Sequence, residues 1–381
     1  MTVISTVVPT YATISLAALA HNVSCITEYL PPSCKILAVV KANAYGHGAI
    51  TVAHALAKQG VERFAVASLA EGIELRQAGL NAPILILGAL FEEQIPDLVA
   101  HRLTPVVSDV RILPALTKAV CAHQAPYQIH LKIETGMGRL GLSTEELPAL
   151  LDSQILRSPL QIEGIMTHLA DADGEDGTFT ERQLGVFHAM LEQICLRGLT
   201  VPLVHAANSA AIVRFPTTHF SLVRPGIMLY GYHSLPSSVP APALRPVLSL
   251  QTRIAKLRTI PQGGTVSYNR TFVAKRLTKI AVLPIGYADG YNRLLSNRGT
   301  VLIQGKRAPI VGLVCMDMTM VDVTDLASVQ IDEAVTLIGQ QGAESIGADE
   351  VAGLLGTIPY EVLCGISSRV PRLYESAAHG G

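Results

Sequence analysis

The sequence contains no tryptophan and few charged residues. The low charge argues against several kinds of binding partner. Only 15% of the 381 residues are charged, the formal net charge is −1, and 49% of the residues are hydrophobic. Because basic clusters and acidic tails are missing, neither nucleic acid nor a membrane is expected as a partner. A chain of this length and composition is typical of a globular protein with two domains.

Cysteine is also scarce and widely spaced. No C-x-x-C pair occurs among Cys25, Cys34, Cys121, Cys195, Cys315 and Cys364, and this spacing favours reduced thiols over a disulfide framework or a zinc site. The N-terminus lacks a basic segment, and its apolar residues are interrupted by serine, threonine and proline. We therefore expect no signal peptide, no membrane-spanning helix and a cytoplasmic location.

Short apolar runs alternate with helical stretches along the first 230 residues. The expected strands are Ile36–Val40, Phe64–Ala67, Ile84–Leu87, Pro105–Val107, Gln128–Ile133, Ile162–Met166, Leu203–His205 and Leu222–Arg224. The expected helices include Ile50–Lys58, Leu69–Ala78, Glu92–His101, Asp109–Ala122 and Thr180–Leu196. This alternation predicts a parallel sheet covered on both faces. Eight strands predict an α/β fold of the (β/α)₈ TIM type, and no G-x-G-x-x-G follows the first strand to favour an open sheet.

The composition and the hydrophobic pattern of the sequence change after Tyr230. The segment GYHSLPSSVPAPALRP has four prolines and no apolar periodicity, which indicates a domain boundary. Beyond it the expected elements are mostly strands: Leu248–Leu257, Lys279–Ile285, Gly299–Gln304, Ala308–Val314, Met320–Val323 and Val335–Ile338, then a short helix near Ala348–Leu355. We predict a barrel over residues 1–239 and a C-terminal mainly-β domain over residues 240–381, with Tyr11–Ile14 as a candidate strand of the second domain.

A lysine ends the first barrel strand. The segment ILAVVKANAYGHG runs five apolar residues directly into Lys41. A buried ammonium group costs free energy unless it is paired or loses its proton. Lys41 therefore either lies at the solvent end of the strand or carries an amine that is placed to react, and the strand pattern alone leaves both open.

Polar residues follow other predicted strands as well, at the barrel end where active sites lie. These residues are Glu134, Arg139, His168, Asn208, Ser209 and Arg224, and Gly226 follows the eighth strand with them. After the seventh and eighth strands, Ser209 offers a hydroxyl at a helix start and Gly226 allows close approach to the main chain, as a phosphate site needs. Each also has a structural explanation, as a helix cap or a strand end. A phosphate opposite a lysine is typical of pyridoxal phosphate held as a Schiff base.

Eight segments in chain order resemble the alanine racemase family. They are AVVKANAYGHG, KIETGMGRLG, THLADAD, AANSAA, VRPGI, TVSYNRTF, IGYADGY and CMDMTMVDVTD, and the match runs from about Tyr11 to Arg372. The resemblance implies a barrel that binds pyridoxal phosphate, a C-terminal β-domain, and a homodimer whose active sites are shared between chains. It implies interconversion of L- and D-alanine, which supplies D-alanine for peptidoglycan.

The resemblance also implies two bases, one for each face of the substrate. Lys41 would act on the D-face, and Tyr268 of the second chain would act on the L-face. A phenol ordinarily ionises only near pH 10, so a tyrosine base needs a stabilising neighbour, for which His168 is the candidate. Many relatives follow this tyrosine with glycine; here Asn269 follows, and asparagine tolerates left-handed backbone.

The remaining matched positions concern the cofactor and the substrate. Arg224 would face the pyridine nitrogen, where an arginine can only donate a hydrogen bond. Arg139 would approach the cofactor's phenolic oxygen and the substrate carboxylate, and Lys132 matches a position often carbamylated to hold that arginine. The sequence leaves open whether Lys132 is a plain exposed lysine. The implied phosphate ligands are Tyr45, Asn208, Ser209, Gly226, Ile227 and Tyr360, and the implied substrate contacts are Met316, Asp317 and Tyr287.

Alternatives to alanine racemisation remain at this stage. One is a broader-specificity racemase, although Tyr360 favours alanine over serine. A non-catalytic pyridoxal-phosphate barrel protein is a second, disfavoured by the long C-terminal segment with Tyr268. A basic amino-acid decarboxylase is disfavoured by Arg224. A metal-dependent hydrolase using His168 and His205 lacks H-x-H or H-E-x-x-H motifs.

Overall fold

The structure, a computed structural model, describes residues 8–121, 126–153 and 159–375, which form two compact units. The barrel unit consists of the described residues of Ala20–Ala44 and Ala49–Leu244. The β unit consists of the described residues of 1–19, of Tyr45–Gly48 and of 245–381. The chain passes from the barrel unit to the β unit at Arg245, within the proline-rich segment.

The N-terminal segment begins with strand β1 (Tyr11–Ser15), followed at once by helix α1 (Leu16–Thr27). Buried and half-buried residues alternate along β1, which suits a strand with one face on a core. The strand pairs antiparallel with Leu248–Arg253 and parallel with Arg372–Glu375, both in the β unit. Helix α1 was not predicted, because its sequence carries no acidic first turn and no basic last turn.

The barrel unit is built around eight parallel strands, and this confirms the predicted α/β barrel. They are β2 (Lys35–Val39), β3 (Arg63–Val66), β4 (Ile84–Ile86), β5 (Thr104–Val107), β6 (Tyr127–Lys132), β7 (Leu160–Met166), β8 (Leu203–His205) and β9 (Leu222–Val223). The sheet order is β8-β7-β6-β5-β4-β3-β2-β9. Its two ends meet where the Ser221 N–H donates to the Val204 carbonyl at 3.2 Å. The apolar side chains of these strands form the core.

Helices connect the barrel strands. They are α2 (Ala49–Lys58), α3 (Leu69–Gln77), α4 (Ile95–Ala100), α5 (Leu113–Val120), α6 (Glu146–Asp152), α7 (Thr178–Leu196) and α8 (Ser209–Arg214). Two predicted helices are shorter than expected, because Glu92–Gln94 and Val110–Ile112 are 3₁₀ turns before a proline-started helix. Ala122, the predicted end of α5, lies outside the described residues. Helices α6 and α8 are under two turns long, too short to show a period in the sequence.

The β unit is mainly strands, as predicted for the C-terminal domain. They are β10 (Leu248–Arg253), β11 (Lys256–Ile260), β12 (Thr265–Val266), β13 (Phe272–Val273), β14 (Thr278–Leu283), β15 (Thr300–Ile303), β16 (Lys306–Pro309), β17 (Thr319–Asp322), β18 (Ala334–Gln341), β19 (Glu344–Ile346) and β20 (Arg372–Glu375). The largest sheet has the order β16-β15-β18-β10-β1-β20, with β19 on β18. Strands β11, β14 and β17 form a second sheet. Helices α9 (Ala348–Leu355) and α10 (Pro359–Gly365) follow.

Two strand predictions in this unit were wrong in extent. The expected strand Leu248–Leu257 is two strands, because the chain leaves the large sheet at Ile254 and joins the three-stranded sheet at Ala255. The expected strand Ala308–Val314 ends at Pro309, and Gly312 adopts a left-handed conformation (φ +77°). Within the described ranges, no helix is long and apolar enough to cross a lipid bilayer.

Candidate active site

The backbone changes hand immediately after Lys41. Ala42, Asn43 and Ala44 have φ between 52° and 54° with ψ between 46° and 50°, and Tyr45 continues with φ 53°. Left-handed backbone costs a residue with a Cβ atom about 1–2 kcal/mol, so a run of it needs support from the surrounding structure. No sequence pattern predicted this left-handed turn. Lys41 is half-buried and lies at the carboxyl end of β2, directly before the turn.

Two side chains hold this left-handed turn. The Glu71 carboxylate accepts the Ala42 N–H at 2.6 Å, and the Asn43 side-chain oxygen accepts the Ala49 N–H at 2.8 Å. Within the turn, the Ala44 N–H donates to the Val40 carbonyl at 2.9 Å. Glu71 was missed from the sequence, although the segment SLAE (Ser68 to Glu71) is a recognisable capping-box pattern.

Arg224, at the end of β9, is buried and its two terminal nitrogens are fully used. They donate to the carbonyls of Thr167, His205 and Ala206 and to the Nδ1 atoms of His168 and His205, at 2.7–3.3 Å. Burial lowers the pKa of the guanidinium to about 9. Its Nε makes no hydrogen bond to any residue that the structure describes. Arg224 is therefore a rigid cation with one donor to spare.

His168 follows β7 and is a neutral histidine. Its Nδ1 accepts a hydrogen bond from Arg224 at 3.3 Å, so the ring hydrogen lies on Nε2. Burial is the main cause that lowers its pKa well below the usual range, and the charges of Arg224, Arg139, Lys132 and Lys41 act in the same direction. His168 therefore cannot be the cation that stabilises a phenolate, but its Nε2–H remains polarised by Arg224 behind it.

A chain of buried polar side chains runs from Arg224 through the barrel. Arg224 donates to His205 Nδ1 (3.0 Å), so His205 Nε2 donates to His130 Nδ1 (2.8 Å), and His130 Nε2 donates to Glu163 (3.2 Å). Glu163 also accepts from Arg63 at 2.7 Å. Burial lowers the pKa of both histidines, which keeps them neutral. We call this set the histidine relay.

The histidine relay depends on one glycine. Gly164 on β7 is paired with His130 on β6, and a Cβ atom at Gly164 would collide with the His130 ring. Of the histidine relay, only Arg224 was predicted from the sequence as a site residue, and His205 only as a possible metal ligand. The available signal was a polar residue inside each apolar strand, as in YQIHLK and LQIEGIM.

The relay also bears on the metal-site alternative. The Nδ1 atoms of both His168 and His205 face the Arg224 cation, so these lone pairs are already used. Across the part of the chain that the structure describes, no three His, Cys, Asp or Glu side chains are grouped so that they could hold a metal ion.

Lys132, the last residue of β6, is buried, with only 4% of its surface exposed. This excludes the plain exposed lysine that the sequence left open. Burial lowers the pKa of its amine to about 8, helped by the charges of Arg139, Arg224 and Lys41, against which Glu134 acts. Arg139 itself is exposed, and its backbone N–H donates to Glu134 at 3.3 Å.

The loops after β8 and β9 are joined by Ser209. Asn208 caps α8 by accepting the Ala211 N–H, and the Ser209 hydroxyl oxygen accepts the Gly226 N–H at 3.0 Å. Ser209 is 5% exposed, and its own hydroxyl hydrogen has no acceptor among the described residues. Ile227, fully buried, begins the 3₁₀ turn that follows Gly226. The two predicted phosphate loops are thus in contact, with one donor unused.

In the β unit, Tyr45 and Tyr360 lie together. Their ring centroids are 5.8 Å apart, with the planes tilted by 49°. Tyr45 is buried, and burial raises the pKa of its phenol, with smaller contributions from Tyr360 and Cys364. Tyr360 lies in the first turn of α10, which begins at Pro359. Two residues 315 positions apart in sequence, both matched to phosphate binding, are therefore neighbours.

Tyr268 projects from a strained turn of the β unit. It is 69% exposed, and it is flanked by Ser267 (φ +67°) and Asn269 (φ +56°). Asn269 thus has the left-handed φ that asparagine tolerates. The Ser267 hydroxyl donates to the Leu313 carbonyl at 2.6 Å, which anchors the turn to the segment before Cys315.

The same face of the β unit carries the predicted substrate loop. A groove of about 910 Å³ is lined by Tyr268, Met316, Asp317 and Met318, among others. Tyr287 adjoins this loop, because the N–H groups of Tyr287 and Ala288 donate to the Cys315 and Met316 carbonyls at 3.0 Å. Asp317 accepts from Arg369 at 2.9 Å. Tyr268, Met316 and Asp317 therefore line one groove of the β unit, with Tyr287 next to their loop.

Comparison with known proteins matches both parts of the chain to one family. The sequence profile of the alanine racemase N-terminal domain matches residues 14–234, and that of the alanine racemase C-terminal domain matches residues 247–374. The alanine racemase of Halothermothrix orenii is 42% identical over 372 residues, covering 98% of each chain. That of Carboxydothermus hydrogenoformans is 45% identical over 367 residues, covering 96% of this chain and 99% of the relative.

Solved structures give the same answer. The alanine racemase of Bacillus anthracis with bound L-Ala-P superposes with a TM-score of 0.90 at 38% identity, covering 98% of this chain and 96% of that one. The alanine racemase of Bartonella henselae with covalently bound pyridoxal phosphate superposes with a TM-score of 0.87 at 31% identity, covering 97% of this chain and 100% of that one. By sequence and by fold, the chain belongs to the alanine racemase family.

Proposed function

We propose that the protein is a pyridoxal-phosphate-dependent alanine racemase that interconverts L- and D-alanine. The observation that carries this proposal is Arg224: a buried cation whose two terminal nitrogens donate to five acceptors, while its Nε makes no hydrogen bond within the described ranges. A pyridine nitrogen is the kind of acceptor that such a donor fits. The spare hydroxyl hydrogen of Ser209 likewise fits a phosphate oxygen.

The reaction moves one proton off the α-carbon and returns one to the opposite face. Bound pyridoxal phosphate supplies an electron sink for the substrate, which makes the α-proton removable. In the proposal, the Lys41 amine carries the proton on the D-face and the Tyr268 phenol carries it on the L-face. Both residue types can hold or release a proton, and Lys41 is held in place by its left-handed turn.

Arg224 and His168 set the polarity around these bases. An arginine that donates to the pyridine nitrogen leaves that nitrogen unprotonated, which limits side reactions such as transamination. His168, neutral and with its Nε2–H directed away from Arg224, would donate to the Tyr268 phenol and stabilise its ionised form. The other cofactor contacts that we propose are Lys41 for the aldehyde carbon and Tyr45, Asn208, Ser209, Gly226, Ile227 and Tyr360 for the phosphate.

The substrate carboxylate would be bound by Arg139 and by the loop that contains Met316 and Asp317, with Tyr287 beside it. Lys132 would be a carbamate. Its burial and its lowered pKa of about 8 support this, because only an unprotonated amine adds carbon dioxide. A carbamate would also supply a negative charge near Arg139 and Arg224, whose positive charges lower the pKa of the lysine.

The proposed active form is a homodimer in which the domain from about residue 240 onward supplies Tyr268 to the other chain's site. The exposed Tyr268, Met316 and Met318 support this, because such an apolar surface suits an interface. We further propose a cytoplasmic enzyme that provides D-alanine for peptidoglycan. The six cysteines, all free thiols, support the location.

Borohydride reduction followed by peptide mapping tests the cofactor assignment. We expect the purified protein to absorb as a lysine-bound pyridoxal derivative and to yield a pyridoxyl group on Lys41 after reduction. Lys41→Ala should yield none and should not racemise alanine, whereas Lys58→Gln, an exposed lysine on α2, should behave as wild type. Labelling at another lysine, or alanine turnover by Lys41→Ala, would refute the proposal.

A further inference from the structure

We propose that Glu71 is a positioning residue for Lys41, acting through the left-handed turn Ala42–Tyr45. The proposal rests on the assignment of Lys41 as the cofactor-binding lysine. Glu71 does not touch the reacting atoms in this scheme. It determines the direction in which the lysine leaves the end of β2.

Both carboxylate oxygens of Glu71 are engaged by backbone donors. One oxygen accepts the Ala42 N–H at 2.6 Å, and the other accepts the Ala67 N–H at 2.8 Å and the Ser68 N–H at 3.1 Å. Ala42 follows β2, and Ala67 and Ser68 follow the neighbouring parallel strand β3. A single side chain therefore ties together the carboxyl ends of the first two barrel strands.

We call the three hydrogen bonds that Glu71 accepts from the Ala42, Ala67 and Ser68 N–H groups the Glu71 clamp. This clamp requires an ionised carboxylate. A carboxylate only accepts hydrogen bonds and offers about four lone-pair sites, which matches three converging N–H groups. A glutamine of the same shape would turn its NH₂ group toward at least one of these donors. Glu71→Gln is therefore nearly isosteric with the wild type and still breaks the arrangement.

The Glu71 clamp holds a left-handed backbone conformation, which alanine does not adopt readily. Ala42 and Ala44 carry Cβ atoms and gain nothing from a left-handed conformation, in contrast to glycine. Asn43 ties the far end of the turn to Ala49, and Glu71 ties the end next to Lys41. Without Glu71, Ala42 is free to return to a right-handed conformation. The following peptide and the lysine side chain would then point elsewhere.

Glu71 also has a second task, which the experiment must separate from the first. It is the acidic member of the capping box of α3, in which the Glu71 N–H donates to the Ser68 hydroxyl at 3.3 Å. Ser68→Ala removes that helix-capping bond and leaves the carboxylate on Ala42. Glu74→Gln changes an exposed glutamate one turn later on the same helix. Together these two variants control for loss of helix stability and for loss of charge.

The test compares holoenzyme variants by three readouts. We expect Glu71→Gln to lower kcat for alanine by about 10- to 100-fold with a smaller change in KM, because the misplaced amine affects proton transfer more than substrate binding. We expect its cofactor absorption and circular dichroism to shift, and its amides around Ala42 to exchange hydrogen faster. Ser68→Ala and Glu74→Gln should show none of these changes.

A rescue variant addresses the physical cause. Glycine adopts left-handed backbone without penalty, so Ala42→Gly combined with Glu71→Gln should recover part of the lost kcat and of the cofactor signal. A Glu71→Gln enzyme with wild-type spectrum, kcat and exchange would overturn the proposal, as would Ser68→Ala reproducing its defect or a double variant with no recovery. If the wild type itself carried no lysine-bound cofactor, the proposed function would fail instead, and the two failures are thus distinguishable.

Discussion

Burying a positive charge costs free energy, and this cost affects the protonation of single residues in the barrel. Lys132 is almost completely buried, and the pKa of its amine falls to about 8 because the charged form loses hydration beside other cations. Arg224 is buried to the same extent, and the five acceptors around its guanidinium stabilise the charge. Near neutral pH a minority of the Lys132 amine is therefore unprotonated and able to react, a far larger fraction than for an exposed lysine.

The first prediction concerns this lysine. We expect Lys132 to react with carbon dioxide, forming an N–C bond and releasing one proton, and we expect the carbamate fraction to rise as the pH increases through about 8. Carbon-13 NMR of protein equilibrated with labelled bicarbonate at neutral to alkaline pH measures it. Lys132→Gln should lose the signal and lower kcat/KM by about 10- to 100-fold through a displaced Arg139. The exposed Lys58, changed to glutamine, serves as the control, and a signal that persists in Lys132→Gln would contradict the assignment.

Short turns determine the direction in which the two proposed bases project, and both bases adjoin residues with positive φ. Lys41 precedes four left-handed residues, and Tyr268 is flanked by Ser267 and Asn269 with positive φ. Such conformations persist only where neighbouring contacts hold them. The side-chain directions at both bases are therefore properties of the turns and their supports.

The second prediction concerns the turn at Tyr268. Asn269→Gly should keep kcat close to wild type, because glycine accepts φ +56° freely. Asn269→Val should lower kcat clearly, since a β-branched residue there costs about 1–2 kcal/mol or more and shifts the phenol. Steady-state racemisation rates, with circular dichroism to confirm folding, make the comparison. Equal rates for the two variants would show that this backbone does not govern Tyr268.

The third prediction concerns the histidines of β6, β8 and the loop after β7. His130, His168 and His205 have lowered pKa values in the folded chain, mainly through burial. Below about pH 6.5 the unfolded chain therefore binds protons that the folded chain does not. The free energy of unfolding should fall as the pH decreases from about 7 to 5, by up to about 1.4 kcal/mol per pH unit for each histidine.

Glu163 contributes to the pH dependence at lower pH, because its ionised form is the one that the folded chain stabilises. Burial would raise its pKa, but the hydrogen bonds from His130 and Arg63 outweigh that and lower it. Its stabilisation is present above the unfolded value of about 4.3 and is lost as the pH falls through the lower folded value. Denaturant unfolding at fixed protein concentration measures both windows. His205→Gln should reduce the slope between pH 7 and 5, and an unchanged slope would contradict the neutral-histidine assignment.

At the scale of the whole molecule, the proposed shared site makes activity depend on two chains. The exposed apolar residues around Tyr268 would then be covered in the active form, and a homodimer has two equivalent sites related by its symmetry. In a dimer of one Lys41→Ala chain and one Tyr268→Phe chain, both changes fall in one site and the other site is intact.

The fourth prediction follows from the number of intact sites in such a mixed dimer. Each variant alone should be inactive, whereas an equimolar mixture that has been dissociated and reassembled should recover about one quarter of wild-type activity, because half the dimers are mixed and each has one intact site. Chiral analysis of the product and sedimentation of the mixture provide the measurement. A mixture that stays inactive although mixed dimers form would exclude sharing of sites between chains.

The sequence was sufficient for the architecture and for the positions of most candidate residues. Apolar runs at strand spacing and amphipathic helical stretches are local properties, so the eight barrel strands were predicted within one or two residues, and α9 was predicted with its observed bounds. The motifs at strand ends identified Lys41, His168, Ser209 and Arg224 because a parallel barrel brings the carboxyl ends of its strands to one face. Errors fell on helix α1, which lacks charged residues at its ends, on elements under two turns long, and where a strand changed sheet or ended early.

What the sequence by itself determined is thus the order of elements and the kind of residue at each strand end, because hydrophobic period and turn chemistry act between near neighbours in the chain. Only the tertiary structure decided that the turn after Lys41 is left-handed and clamped by Glu71, that Lys132 is buried, and that Arg224 polarises a relay of neutral histidines. These features join residues 20 to 100 or so positions apart. Their charge states and directions depend on desolvation and on the closure of the barrel, neither of which a local pattern contains.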